Sequence, residues 1–270
     1  MSESPAEHAV TAASFDMAHE AEARARVAPR LAAAAYGEDY PADVAPFGMT
    51  TKWTLGRLVS QTKLGPRDTF IDLACGRGGP GLWLARATGA NLIGVDWSSS
   101  AVRLATERIP EFVPAERARF VVGDLSASGL EDEIADAVIC MDAVFFAPDI
   151  PAAMAEAGRL LRPNARYVFT IDVNPASSQP QRHVIDEHVA AAGLELVAKE
   201  EIPRYAEQLS RMYDLWIARN DELAADVGQE VADEMRGEAE AVGPTLAGRT
   251  AYLCTAVRRP TIRAVESGTP

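Results

Sequence analysis

The sequence predicts a doubly wound α/β fold, a mostly parallel sheet with helices on both faces. Three observations point there. From residue 69 onward, short apolar runs alternate with segments of helical spacing, and unbroken apolar runs of that length suit strands covered on both faces. The stretch "DLACGRGGPG", residues 72–81, follows the first run and holds G-x-G-x-x-G at Gly76, Gly78 and Gly81. That spacing lets a nucleotide approach the backbone where a strand turns into a helix. Asp96 closes the next apolar run, where a carboxylate accepts hydrogen bonds from ribose hydroxyls.

Each element follows from its own residues. Residues 1–16 are polar and read as a mobile tail, without the basic and apolar regions of a secretory leader. Residues 17–35 are alanine-rich and predict a helix broken at Pro29. "YGEDYPADVAPFGMTT" is turn-rich with interleaved aromatics, so residues 1–50 form a tail and a helical lid. "WTLGRLVSQTKL" sets Trp53, Leu55, Leu58 and Val59 at helical spacing and stops at "GPRD". Strands follow over 69–74, 91–96, 119–124, 136–142, 166–172 and 194–202. Helices lie between them in "GPGLWLARATG", "SSSAVRLATERI", "DIPAAMAEAGRLL" and "QRHVIDEHVAAAG". Residues 51–202 thus make the core. About 47 residues, 203–249, then precede a seventh strand over 250–257. Within them "LSRMYDLWIARNDELAADV" puts Leu209, Met212, Tyr213, Trp216, Leu223 and Val227 on one helical stripe, and "GQEVADEMRGEAEAVG" reads as a second helix. This insert is expected to cap a substrate, with residues 250–270 returning to the core as its last strand and a tail.

Composition narrows the function. The chain has 270 residues, 39 acidic against 26 basic, for a net charge of −13. A field of that sign repels phosphate backbones, so no nucleic-acid partner is expected. No apolar run is long enough to span a membrane. The three cysteines are scattered, which suits free thiols in a cytoplasmic protein. Neither they nor the four histidines show metal-ligand spacing, so no metal is expected.

The glycine loop and Asp96 admit either NAD or S-adenosylmethionine. Asp72 ends the first strand; a carboxylate there disfavours a pyrophosphate and suits an ammonium group. "VVGDL" closes the third strand with Asp124, an acceptor for the exocyclic amine of adenine, and Leu125 can lie against the ring. A strand–insert–strand ending is also unusual in NAD domains. An NAD-dependent oxidoreductase is retained as an alternative.

"FIDLACGRGGPGLWLARATGANLIGVDWSSSAVRLA" resembles the first two motifs of class I S-adenosylmethionine-dependent methyltransferases, and "FVVGDL", "DAVICMDAVFFAPD" and "LLRPNARYVFT" resemble the next ones in order. The match covers roughly residues 50–200 and looks most like bacterial, especially actinobacterial, enzymes of natural-product type. It implies a Rossmann-like sheet of seven strands with the seventh antiparallel, and S-adenosylmethionine as methyl donor with S-adenosylhomocysteine as product. It implies that Asp72, Ala74, Gly76 and Gly78 surround the methionine part, and that Asp96 holds the ribose. Trp97, Asp124 and Leu125 would flank the adenine, Cys140 and Met141 would contribute backbone, and Asp142 would face the substrate. The chain departs from the pattern with Ala74 for a common glycine and Arg77 for a common threonine. Phe145 and Phe146 stand where many relatives have histidines.

Methyl transfer from a sulfonium is an in-line displacement, so the protein mainly positions the nucleophile and takes its proton where needed. His183, in the first turn of the helix after the fifth strand, and Asp142 are the candidate bases, and His19 in the tail region is a lesser candidate for any role. Tyr36, Tyr40, Phe47, Phe145, Phe146, Tyr213 and Trp216 are candidates for a substrate wall. The expected reaction is methylation of an oxygen or nitrogen of a small metabolite, in secondary metabolism such as antibiotic biosynthesis. Carbon is the alternative acceptor, and the chain is expected to act as a monomer or homodimer.

Overall fold

The computed structural model describes residues 11–174 and 185–260. Seven strands, β1 (Thr69–Leu73), β2 (Asn91–Asp96), β3 (Ala118–Val122), β4 (Ala135–Cys140), β5 (Leu161–Val173), β6 (Leu194–Glu201) and β7 (Thr250–Arg258), form one sheet in the order β3-β2-β1-β4-β5-β7-β6. Neighbours from β3 to β5 pair in parallel, whereas β7 runs antiparallel to both β5 and β6. The strand order reverses at β1 and β4, so the crevice beyond their carboxyl ends is the place for a ligand.

Both faces of the sheet are buried, which explains the unbroken apolar runs. Successive side chains point to opposite faces. Phe70, Ile139 and Val168 pack with Leu55, Leu58 and Leu82 under α3 (Lys52–Thr62), α4 (Gly79–Thr88) and α5 (Ser99–Phe112). Ile71, Val138 and Phe169 pack on the other face with Met154, Leu160 and Val189, from α6 (Ile150–Leu160) and α7 (Ile185–Ala191). Each such side chain contributes about 1.5–3 kcal/mol by leaving water. Helix starts carry the expected caps, with Thr51, Ser98 and Asp149 accepting from backbone N–H groups of α3, α5 and α6. Gly89 closes α4 at φ +74°.

Remaining helices form a cap. α1 (Ala12–Arg24) and α2 (Val27–Tyr36) come from the first fifty residues; α8 (Tyr205–Ala218), α9 (Asn220–Val227) and α10 (Gln229–Val242) come from the insert. They share apolar cores: Ala28 and Leu31 with Leu223, Val227, Val231 and Met235, and Ala35 and Tyr36 with Leu209, Met212, Tyr213 and Ala239. Lid and insert are therefore one packed layer rather than two appendages. None of the described helices is long and apolar enough to cross a membrane.

Three expectations need correction here. Residues 12–16 are not tail but the first turns of α1, started by a reciprocal capping box between Thr11 and Ser14. The break between α1 and α2 falls at Ala25 and Arg26, not at Pro29. Asp226 of α9 accepts from the N–H groups of Arg26 at 2.9 Å and Val27 at 2.6 Å and so starts α2. Pro29 lies in the first turn of α2, where its missing N–H is not needed. Finally, the stripe from Leu209 to Val227 is two helices, because the chain turns at Arg219 and buried Asn220 donates to the carbonyl of Ala232 at 2.8 Å.

Candidate active site

The site begins where β1 ends. Ala74, Gly76 and Gly78 all have positive φ, at +56°, +52° and +74°, and this turns the chain into α4. The glycines serve different neighbours. A Cβ on Gly78 would stand 2.8 Å from the Phe120 ring, and one on Gly81 would stand 2.5 Å from Asp72 Oδ2. Gly78 thus leaves room for the β3 and α5 packing, and it is not among the residues of the cavity wall. Gly81 keeps space for Asp72.

Asp72 is 2% exposed, and its Oδ2 has no hydrogen-bond partner. Burial and then the nearby Asp96 carboxyl raise its pKa well above the usual carboxylate range. Asp96 holds the loop: its Oδ2 accepts from Gly76 N–H at 2.8 Å and its Oδ1 from Ser98 N–H at 2.9 Å. Beyond β3, Asp124 accepts from Ser126 N–H at 2.7 Å.

These groups open onto one cavity of about 1020 Å³. Its wall includes Asp72, Ala74, Gly76, Asp96, Trp97, Asp124, Leu125, Met141 and Asp142. Cys140 is fully buried in the sheet core and lies outside that wall. All seven candidate substrate-wall aromatics, Tyr36, Tyr40, Phe47, Phe145, Phe146, Tyr213 and Trp216, line the cavity, but at two ends. Phe47 and Phe146 join Phe15, His19 and Trp97 near the glycine loop, with ring centroids 4.2–5.9 Å apart. Tyr213 and Trp216 pair at 5.4 Å under the insert.

Asp142 lies at the end of β4 with φ +56°. Its carboxylate accepts from Met49 N–H at 2.7 Å, Thr50 Oγ1 at 3.3 Å and Thr170 Oγ1 at 3.0 Å. It therefore ties the lid's last segment to the sheet. Burial raises its pKa despite those donors. His183, the other candidate base, lies outside the described residues.

Several site residues were not legible in the sequence. Phe15 and Asp16 lay within the supposed tail; the signal for them was the Thr11–Ser14 capping pattern with Phe15 and His19 four apart. Asp16 Oδ1 accepts from Ser98 Oγ at 2.5 Å and Ser100 N–H at 2.9 Å, which docks α1 on the start of α5. Arg77 is drawn toward the lid, 3.4 Å from Glu22. Burial raises the Glu22 pKa to about 7. Under the insert, Tyr213 donates to Glu238 at 2.7 Å and Arg249 pairs with Asp172 at 2.7 Å. No local pattern marks these pairs, since their members come from distant segments.

The residues fit S-adenosylmethionine on the structure's own terms. An unpartnered buried carboxylate oxygen at Asp72 suits an ammonium group, and the Gly76–Asp96 bond places a carboxylate beside the loop. Among the described residues, no cluster of three or more His, Cys, Asp or Glu could hold a metal ion.

Comparison with known proteins agrees with this geometry. The family model for a methyltransferase domain matches residues 71–169. A 2-phytyl-1,4-naphtoquinone methyltransferase of Nostoc punctiforme is 30% identical over 190 residues, covering 68% of this chain and 78% of that protein. Methyltransferase GfsG of Streptomyces halstedii is 26% identical over 129 residues, covering 48% of this chain and 46% of that protein. Among solved structures, a Haemonchus contortus phosphoethanolamine N-methyltransferase 2 in complex with S-adenosyl-L-methionine shares the fold. It superposes with a TM-score of 0.67 at 17% identity, over 94% of this chain and 61% of that one.

Proposed function

The chain belongs to the class I S-adenosylmethionine-dependent methyltransferases, and we propose that it methylates an oxygen or nitrogen of a small metabolite held beneath its helical cap. The observation that carries this reading is the single cavity that runs from the glycine loop to the aromatic wall of the insert. Bound S-adenosylmethionine supplies a methyl group already activated on a sulfonium. Asp72 would hold its ammonium, Asp96 its ribose, and Asp124 with Leu125 its adenine, beside Trp97. NAD, the rival ligand, is set aside by the family.

The chain's own task is then to orient the acceptor, exclude water and receive a proton. Tyr36, Tyr213 and Trp216 form an apolar and hydroxyl-bearing wall for the acceptor. Asp142, whose carboxylate already accepts three hydrogen bonds, acts chiefly by fixing Met49 and Thr50 at the cavity edge. His183 is kept as the proposed base. A secondary-metabolic role draws support from a 27-O-demethylrifamycin SV methyltransferase of Amycolatopsis mediterranei, 25% identical over 175 residues.

A second reading, transfer to carbon, is favoured by the relative named for a naphthoquinone, because the reduced, quinol form of such a ring offers a nucleophilic carbon that takes the methyl and releases its proton. The test is incubation with methyl-labelled S-adenosylmethionine and panels of phenols, amines and quinols, followed by NMR of the labelled product. A methyl on oxygen or nitrogen supports the first reading, and a methyl on ring carbon replaces it with the second. The His183→Ala variant should slow turnover about a hundredfold if a base is needed; unchanged turnover would remove His183 from the mechanism.

A further inference from the structure

We propose that His19 contacts the cofactor: carried by α1, it reaches over Gly76 and hydrogen-bonds S-adenosylmethionine where that molecule crosses the glycine loop. This deepens the cofactor reading given above and rests on it. His19 is the one buried residue of α1, 1% exposed. Its ring leans on the loop, with Cε1 3.3 Å and Nε2 3.9 Å from where a Cβ on Gly76 would stand. It is part of the cavity wall, and its Nδ1 is buried without a hydrogen-bond partner.

Phe47 and Phe15 flank the ring at 4.2 and 5.9 Å between centroids. Neither offers a hydrogen bond, and the Asp16 carboxylate one turn away is engaged by Ser98 and Ser100, while Nε2 stands on the side of the Gly76 loop. Polar groups left bare inside a fold are uncommon, and an unfilled binding site is one of the few reasons for them. The position of the ring is also well determined. Asp16 bonds Ser98 and Ser100, Glu20 pairs with Arg103, and Glu22 with Arg77, so α1 is pinned to the loops around this same cavity. Burial and then the Arg77 charge hold the imidazole neutral, with a pKa of about 3. A neutral ring offers one donor and one acceptor and adds no positive charge to oppose a sulfonium.

The alternative is that His19 only packs, and an isosteric change separates the two. The full chain is titrated calorimetrically with S-adenosylhomocysteine as wild type, His19→Phe and His19→Gln, with thermal unfolding as a check on folding. The nitrogen resonances of His19 are followed by NMR in the wild type during the same titration. Binding should weaken about tenfold or more in His19→Phe and recover in part in His19→Gln, and the wild-type ring resonances should move at saturation. Wild-type affinity in His19→Phe, or ring nitrogens that do not shift, overturns the proposal. Should His19→Phe fail to fold, the wild-type resonances alone decide. A wild type that does not bind S-adenosylhomocysteine at all would instead sink the cofactor reading, with this proposal falling as a consequence.

Discussion

Asp72 can sit beneath the loop with a free carboxylate oxygen only because Gly81 has no side chain. Gly81→Ala should push that carboxylate aside and weaken S-adenosylhomocysteine binding by about 1–3 kcal/mol, the usual cost of forcing an atom into a filled space; calorimetry checks it. Ala74 holds a left-handed backbone at φ +56°, which costs a residue with a Cβ about 1–2 kcal/mol. Ala74→Gly should therefore raise the urea midpoint, with a net gain of about 1 kcal/mol or less after the added freedom of the unfolded chain. At Asp142, three donors converge on one carboxylate. Asp142→Asn would turn an amide NH₂ toward donors, and should cost about 1–3 kcal/mol in chemical denaturation.

At the scale of elements, α1 carries two titrating groups whose effects oppose. His19 falls from 6.5 to about 3 on folding. As pH drops below 6.5 the unfolded chain binds a proton that the fold refuses, so stability is lost toward acid until about pH 3. Glu22 rises from 4.5 to about 7. As pH climbs past 4.5 the unfolded chain releases a proton that the fold keeps, so stability is lost toward base until about pH 7. Each slope is about 1.4 kcal/mol per pH unit at most. Between pH 4.5 and 6.5 these two contributions cancel, so removing either one should tilt the wild-type profile in a defined direction. Relative to the wild type, His19→Phe should lose stability with rising pH across that window, and Glu22→Gln should gain it. Denaturation midpoints measured across the window check both, and parallel profiles in the two variants would contradict the account.

At the scale of the molecule, lid and insert share one core and close one cavity, yet its two ends hold different groups. Trp216 lies at the insert end, paired with Tyr213, whereas Asp72 and Asp96 lie at the loop end. Trp216→Ala should raise KM for the acceptor about tenfold while leaving S-adenosylhomocysteine affinity unchanged. A matching loss of both would mean that the cap responds as a single unit.

Much of this molecule could be read locally. "NLIGVD" is a strand from Asn91 to Asp96 as expected, because its apolar run lies between a glycine turn and a serine cap. Gly76, Asp96 and Asp124 could be located from their spacing at strand ends, since the parallel strands bring their carboxyl ends to one edge. The start of α1 was missed because its capping residues are polar and look like tail. The breaks at Arg26 and Arg219 depend on Asp226 and Ala232, partners that no short window contains. Period and spacing thus determined the individual strands, the cofactor loop and the family resemblance, because apolar runs and strand-to-helix turns are written in short stretches of chain. Only the tertiary structure decided which residues of the cap face the loop. Placing His19 over Gly76 depends on α1 packing against α5, α9 and α10, and Tyr213 meets Glu238 because α8 packs on α10.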